Sequence, residues 1–353
     1  MNSGSYVNGL PFIATKERKN FISNPCDTER PYSKIRRRKQ FPLGLVRDVG
    51  NVLNIIVATG SRETRAVKVL STWFREYCST FDLENEKHQQ SIRMKELHTI
   101  EVCGWIRRIC RKIRLDRREM LVAETSALLH DLGRFEQCRS YGTFWDKHSF
   151  NHAEMSALTI REYGLLRDLS AEESTIVLTA VGLHNVFLVP ESVAGRQRFF
   201  LHLLRDADKL DILRIFSEWY RQSEERRIHI AGLELTKSAE CSPLILRDLR
   251  EGRISNRDYV RTTTDHLLLK LSFLYDIQFD ATLEILAGEG FIDDIVAALP
   301  ENPTVAAVVK AVQLDFIERK GLDLFKTPTR RAYGPAFFRA FPRLSRYLKT
   351  SFA

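Results

Sequence analysis

Apolar residues recur along this chain at the three- and four-residue steps of amphipathic helices, whereas the alternation typical of strands is scarce. The pattern predicts two helices between residues 43 and 80, with a break at Gly60-Ser61 where Ser61 can cap the second helix. Further helices are predicted near residues 94–113, 117–130, 151–165, 171–184, 197–218, 262–288 and 304–318. A predominantly helical protein follows from this pattern.

Composition divides the 353 residues into four parts. Residues 1–40 are polar, basic and contain proline, which predicts a flexible tail. Residues 41–90 form an N-terminal helical extension, and residues 91–290 form the main domain. Residues 291–353 form a C-terminal extension that is helical at first and then basic and aromatic.

The net charge of +9 is concentrated in basic segments at residues 30–40 and 319–349. Such segments can hold nucleic acid or an acidic partner, or they can be solvated arms, and the sequence leaves both interpretations open. No apolar run reaches the length of a transmembrane helix, and Met1 to Asn20 lack the apolar stretch of a signal peptide. We therefore expect a cytoplasmic protein that does not bind membranes.

A His-Asp pair, His130-Asp131, ends an apolar run and is followed by Gly133, which permits a sharp turn. The chain also offers histidines at 98, 152 and 184 and an aspartate at 206 that follows an apolar stretch. Imidazoles and carboxylates in this mixture suit borderline-to-hard divalent metals, and two such metals can activate a water against a phosphate ester. The two oxygens of Asp131 make it the natural bridging ligand.

The order His98, His130-Asp131, Asp206 resembles the motif of the HD superfamily of metal-dependent phosphohydrolases. Three further segments, Asn151-His152-Ala153-Glu154, Gly182-Leu183-His184-Asn185 and residues 205–211, are similar to motifs of its dinuclear members. The resemblance covers roughly residues 92–220. It implies an all-α fold, an HD-domain helical bundle at residues 91–290 with N- and C-terminal helical and basic extensions.

The resemblance also implies a ligand set. One metal would be held by His98, His130, Asp131 and Asp206, and the second by His152 and His184, with Asp131 shared. The implied cofactors are two divalent transition metals, with Fe or Mn favoured and Ni, Co, Zn or Mg also compatible. His148 matches no ligand position, although it lies four residues before His152.

Other polar residues are candidates for the substrate. Arg134 and Lys209 can stabilise charge on a phosphate, although Lys209 can equally pair with Asp208 or Asp211. Arg134 stands where many family members have lysine, so it suits phosphate binding and not proton transfer. Asp208 can orient a metal-bound histidine. The sequence further suggests Tyr141, Thr143 and Asn185 as residues that contact the substrate.

The predicted function is a phosphohydrolase or phosphodiesterase that hydrolyses a nucleotide-like phosphate ester with a metal-activated water. Its partner is then a phosphorylated small molecule or a nucleotide. Two alternatives stay open: a protein that binds nucleic acid or another partner on an HD core, and an HD-type di-iron oxygenase. The catalytic residues would be Asp131, Arg134 and Lys209.

Overall fold

The computed structural model describes residues 62–223, 229–231 and 233–324. In this part of the chain the regular elements are helices, apart from one isolated bridge between Thr236 and Thr262. This confirms the all-α fold. The α-helices are α1 (Arg62–Ser79), α2 (Glu86–Lys112), α3 (Arg117–Leu129), α4 (Leu132–Tyr141), α5 (His152–Glu162), α6 (Ala171–Leu183), α7 (Gly195–Arg221), α8 (Pro243–Arg250), α9 (Thr263–Ser272), α10 (Asp280–Glu289), α11 (Phe291–Ala297) and α12 (Pro303–Lys320).

Two 27-residue helices, α2 and α7, pack against each other in the centre of the bundle. Helix α2 buries Val102, Ile106 and Ile109, which recur at three- and four-residue steps and are fully inaccessible. Helices α3 and α6 pack against α7 from the other sides. The core continues past residue 290, because Phe291 and Ile292 at the start of α11 belong to the same buried cluster.

The single long helix predicted for residues 262–288 is wrong. The structure has α9, a 3-10 turn at Phe273–Asp276, and α10, which begins at Asp280. The chain turns here because the backbone N–H groups of Gln278 and Phe279 donate to the buried carboxylate of Asp206 on α7. The apolar pattern alone predicts that the helix goes on, whereas hydrogen bonds to Asp206, which is distant in sequence, accompany its end.

Some predictions fall on residues that the structure does not describe. These are the helix before Gly60-Ser61, the tail at residues 1–40 with its basic segment 30–40, and most of the basic segment 319–349. Within the described ranges, no helix is both long enough and apolar enough to cross a bilayer.

Gly133 sits where α4 crosses α5 at close range. A Cβ at this position would lie 2.3 Å from the carbonyl oxygen of His152, and the N–H of Gly133 donates to Ser156 Oγ at 2.9 Å. We expect Gly133→Ala to lower the free energy of unfolding by about 2–3 kcal/mol, because backbone atoms must move apart.

The matched control is Gly104→Ala, in the interior of α2, where an added Cβ meets no atom within 4 Å. Because alanine is more favourable than glycine in the interior of a helix, Gly104→Ala should raise the free energy of unfolding by roughly 0.5–1 kcal/mol. Urea denaturation of both variants measures the difference. Equal stability of the two would contradict the close packing of α4 on α5.

Candidate metal centre

Two of the predicted histidines cap the ends of helices. His130 follows the last residue of α3 and His184 follows the last residue of α6. In each ring, Nδ1 bonds a carbonyl oxygen of the final turn, Ala127 at 2.7 Å and Val181 at 2.8 Å. These carbonyls have no partner within the helix, so they are free to accept the bond. Both rings are thereby oriented with Nε2 pointing away from their helices.

The other two histidines are held by carboxylates. His98 on α2 donates from Nδ1 to Asp211 Oδ2 at 2.7 Å, and His152 at the start of α5 donates from Nδ1 to Asp146 Oδ2 at 2.7 Å. A carboxylate or carbonyl oxygen only accepts, so the partner assigns the proton to Nδ1 in all four rings. With Nδ1 as the donor, Nε2 is the ring atom left to bind a metal, the arrangement found in metal-binding histidines.

These Nε2 atoms lack ordinary partners. Those of His98 and His130 are buried and make no hydrogen bond. Those of His152 and His184 face each other at 3.1 Å, although both carry a lone pair. Buried acceptors without donors are unfavourable, and two lone pairs at this distance repel. The donor set therefore fits a divalent cation, which imidazole nitrogens and carboxylate oxygens bind well.

Asp131 lies between the two pairs of histidines. Its Oδ2 is 3.6 Å from His98 Nε2 and 3.4 Å from His130 Nε2. Its Oδ1 is 3.5 Å from His152 Nε2 and 3.7 Å from His184 Nε2. Each oxygen thus faces a different pair, which is the geometry that a bridging carboxylate requires.

The charges of the site favour a cation. Burial raises the pKa of Asp131, but Lys95 and His130 outweigh it and hold this pKa well below its usual value. Burial and Lys95 lower the pKa of His98, but Asp208 and Asp211 outweigh them and raise it. Burial and Arg134 lower the pKa of His152 to about 3, against the effect of Asp146. The carboxylates are therefore ionised and His152 is neutral.

Asp206 does not reach this cluster, contrary to its predicted place among the ligands. Its carboxylate accepts from the backbone at Gln278 and Phe279, and burial raises its pKa to about 6. Asp208 lies there instead, with Oδ1 3.1 Å from His98 Nε2 and 3.8 Å from His130 Nε2. The two aspartates are two residues apart on α7, so they point about 200° apart around its axis.

The guanidinium of Arg134 is held by more protein contacts than we expect for a group that binds phosphate. Its Nη1 donates to Asp146 Oδ1 at 2.9 Å, to Gln137 Oε1 at 2.7 Å and to the carbonyl of Phe144 at 2.6 Å. The hydrogen-bond donors of this nitrogen are therefore all taken up by protein acceptors. Because Asp146 in turn orients His152, Arg134 positions a histidine through Asp146.

Lys209 is also engaged, and not with Asp208 or Asp211. Its Nζ lies 2.6 Å from Asp276 Oδ2, which also receives Arg205 Nη2 at 2.6 Å. Asp276 ends the 3-10 turn before α10. Lys209 therefore ties that turn to α7, although its side chain lines the cavity described next.

A cavity of about 740 Å³ opens from the cluster. Asn185 lines it, and its Nδ2 donates to Asp146 Oδ2 at 3.0 Å. Tyr141 and Thr143 are not among the lining residues: the Tyr141 ring packs on Phe150, and Thr143 Oγ1 accepts from the N–H of Trp145. From the same loop, Phe144 and Trp145 line the cavity instead.

Three residues of the site, Lys95, Asp146 and Asp211, are not among those predicted from the sequence, and Asp208 has a different role from the predicted one. Lys95 binds Asp131 Oδ2 at 2.7 Å, and its position three residues before His98 places it on the same face of α2. Asp146 and Asp211 orient histidines, the role predicted for Asp208. The spacing of Asp211 three residues after Asp208 also indicates a shared helical face. His148 is exposed and lies outside the cluster, as predicted.

Comparison with known proteins adds one match. No curated protein and no solved structure matches the chain. The family model described as "HD domain" matches residues 97–216, about a third of the chain. This segment contains the four histidines together with Asp131 and Asp208. The match supports an HD domain at residues 97–216.

Proposed function

We propose that this protein is a metal-dependent phosphohydrolase or phosphodiesterase that hydrolyses a nucleotide-like phosphate ester. The observation that carries the proposal is the convergence of four Nε2 lone pairs on the two oxygens of Asp131 at 3.4–3.7 Å. The HD-domain match supports it, because this family generally consists of hydrolases that bind divalent metals.

The donor set divides into two sites. His98, His130, Asp131 and Asp208 would hold one metal, and Asp131, His152 and His184 would hold the other. One group of potential ligand atoms, His98–His130–Asp208, falls within the first site, and a second, His130–Asp131–His184, joins residues of both sites through Asp131. Nitrogen-rich sites completed by carboxylates suit Fe or Mn, and Ni, Co, Zn or Mg remain compatible.

The bound metals would lower the pKa of a coordinated water and polarise the phosphoryl oxygens. The protein supplies the remaining functions. Lys95 lines the cavity beside Asp131 and can stabilise negative charge that develops on the phosphate. Asp146 and Asp211 keep the histidine rings in the tautomer that presents Nε2. Arg134 and Lys209 act by positioning Asp146 and Asp276.

The test is the metal content of the full chain, purified with and without oxygen and measured by plasma mass spectrometry. We expect about two equivalents of a transition metal per chain, together with hydrolysis of a nitrophenyl phosphate mono- or diester that chelator abolishes. One equivalent would reduce the proposal to a mononuclear centre and release His152 and His184 for other contacts. No metal after reconstitution with Mn or Fe would overturn it.

The same sample separates the two alternatives. A di-iron oxygenase would consume oxygen when loaded with iron and not with manganese, and it would leave the phosphate esters intact. A nucleic-acid-binding protein would bind an oligonucleotide with strong salt dependence, and deletion of residues 1–40 would weaken that dependence.

A further inference from the structure

The cavity extends well beyond the metal ligands. Helix α7 contributes Asp208 near the cluster and then Ile212 and Phe216 farther along the same wall. Eight residues of helix separate Asp208 from Phe216, which corresponds to about 12 Å along the axis. The lining also includes apolar side chains such as Met94 and Ile230. A ligand that fills the cavity therefore reaches past the scissile bond.

Lys270 on α9 lies at this far end. The residue is 7% exposed, and its Nζ lies 4.5 Å from the ring centroid of Phe216 and 4.7 Å from that of Phe273. Within the described residues, no carboxylate forms a salt bridge with it. Burial, with the positive charges of Arg257 and Lys95, lowers the pKa of Lys270 to about 7 against the opposing effect of the Asp208 carboxylate.

The surroundings of Lys270 can be compared with those of Lys209. Both lysines are 7% exposed and line the same cavity, but Lys209 has Asp276 at 2.6 Å as a neutralising partner. An ammonium group buried among aromatic rings without a carboxylate is destabilising, apart from a modest cation–π contribution. Lys270 is thus a buried basic group that lines the cavity without a salt-bridge carboxylate among the described residues, and an anionic ligand would stabilise its protonated form.

We propose that Lys270 anchors a subsite for a second anionic group of the substrate, separate from the phosphate at the metals. This rests on the proposed function and specifies the substrate class: a phosphate ester with a second phosphate or carboxylate, joined to the first by a body that contacts apolar walls. Arg257, an exposed residue on the rim whose guanidinium lies 5.6 Å from the Trp145 ring, adds positive charge at the entrance.

Binding to the chelator-treated full chain tests the subsite without metals. The probes are adenosine phosphorylated at both the three-prime and five-prime hydroxyls and adenosine monophosphate, measured by calorimetry. We expect the wild-type chain to bind the bisphosphate about tenfold more tightly, the effect of one charge-assisted contact. Lys270→Met should remove that preference, whereas Lys112→Met, on the surface beside Glu284, should keep it.

No preference for the bisphosphate in the wild-type chain would overturn the subsite, and so would an equal preference in Lys270→Met. The metal content of Lys270→Met should match the wild type. The failure of the metal centre and the failure of the subsite are therefore separate results.

Thermal unfolding supplies a readout that a purely structural lysine would not give. The unfolded chain holds the Lys270 proton more tightly than the folded chain, so the charge destabilises the fold most below about pH 7. Lys270→Met should raise the melting temperature there, and the gain should shrink as pH approaches 10.5. Lys209→Met should lower it because Asp276 loses a partner. A lower melting temperature for Lys270→Met would overturn the proposal.

Discussion

Replacing Asp131 by asparagine is expected to remove the bound metals and the hydrolytic activity together. Asparagine keeps the shape of the side chain but loses the negative charge and one of the two acceptor oxygens. Its amide group would have to face either Lys95 or the lone pairs of His152 and His184, which lie near opposite oxygens of Asp131. The fall in activity should exceed about a hundredfold, the upper end for a residue that only supports a ligand.

Plasma mass spectrometry and the initial rate of phosphate-ester hydrolysis measure this effect on the same preparation. Circular dichroism should show the wild-type helix content, because the helices are held by buried apolar residues and not by Asp131. Asp131 lies between helices α3 and α4, so its loss leaves their internal hydrogen bonds intact. Two metals and normal turnover in Asp131→Asn would contradict the bridging role.

The second prediction with a large effect concerns Asp208 and its neighbour Asp206, two residues earlier on the same helix. Asp208→Asn should release the metal held by His98 and His130, because Asp208 Oδ1 lies 3.1 and 3.8 Å from their Nε2 atoms. We expect a loss of about one metal equivalent and a fall in activity of more than about a hundredfold. The measurement is metal content against rate, at equal helix content.

Asp206→Asn is the matched control. Its remaining oxygen can still accept from the backbone at Gln278 and Phe279, so the metals and the activity should be retained. The weaker hydrogen bonds should cost about 1 kcal/mol of unfolding free energy, measured by urea denaturation. If Asp206→Asn lost the metal and Asp208→Asn kept it, the assignment of the two residues would be reversed.

The sequence predicted the four histidines from the motifs that surround them, and three of the four also stand at helix ends. His130 and His184 end apolar helical stretches, and His152 follows a capping asparagine, Asn151. The carboxylates that orient these histidines are harder to predict from the sequence. Asp146 lies in a loop six residues before His152, and nothing in that spacing predicts the turn at Asp146–His148 that returns its carboxylate to the ring.

Asp206 and Asp208 show the same limit. Both are aspartates on one helix with the same apolar surroundings, and the motif alone selected the wrong neighbour for the place beside His98. The choice depends on the rotation of α7 about its axis, which its packing against α2 sets. The turn after α9 depends on Asp206 in the same way, since a side chain some seventy residues earlier receives its backbone hydrogen bonds.

Local information thus determined most of the described helices, the all-α class and the types of candidate ligand, because helical period and end-capping act between residues a few positions apart. The tertiary structure decided which carboxylate faces which histidine and placed Lys95 against Asp131. Among the described residues, it also left Lys270 without a salt-bridge carboxylate while Lys209 received one. These outcomes depend on the angles and depths at which whole helices pack, and no short stretch of sequence contains them.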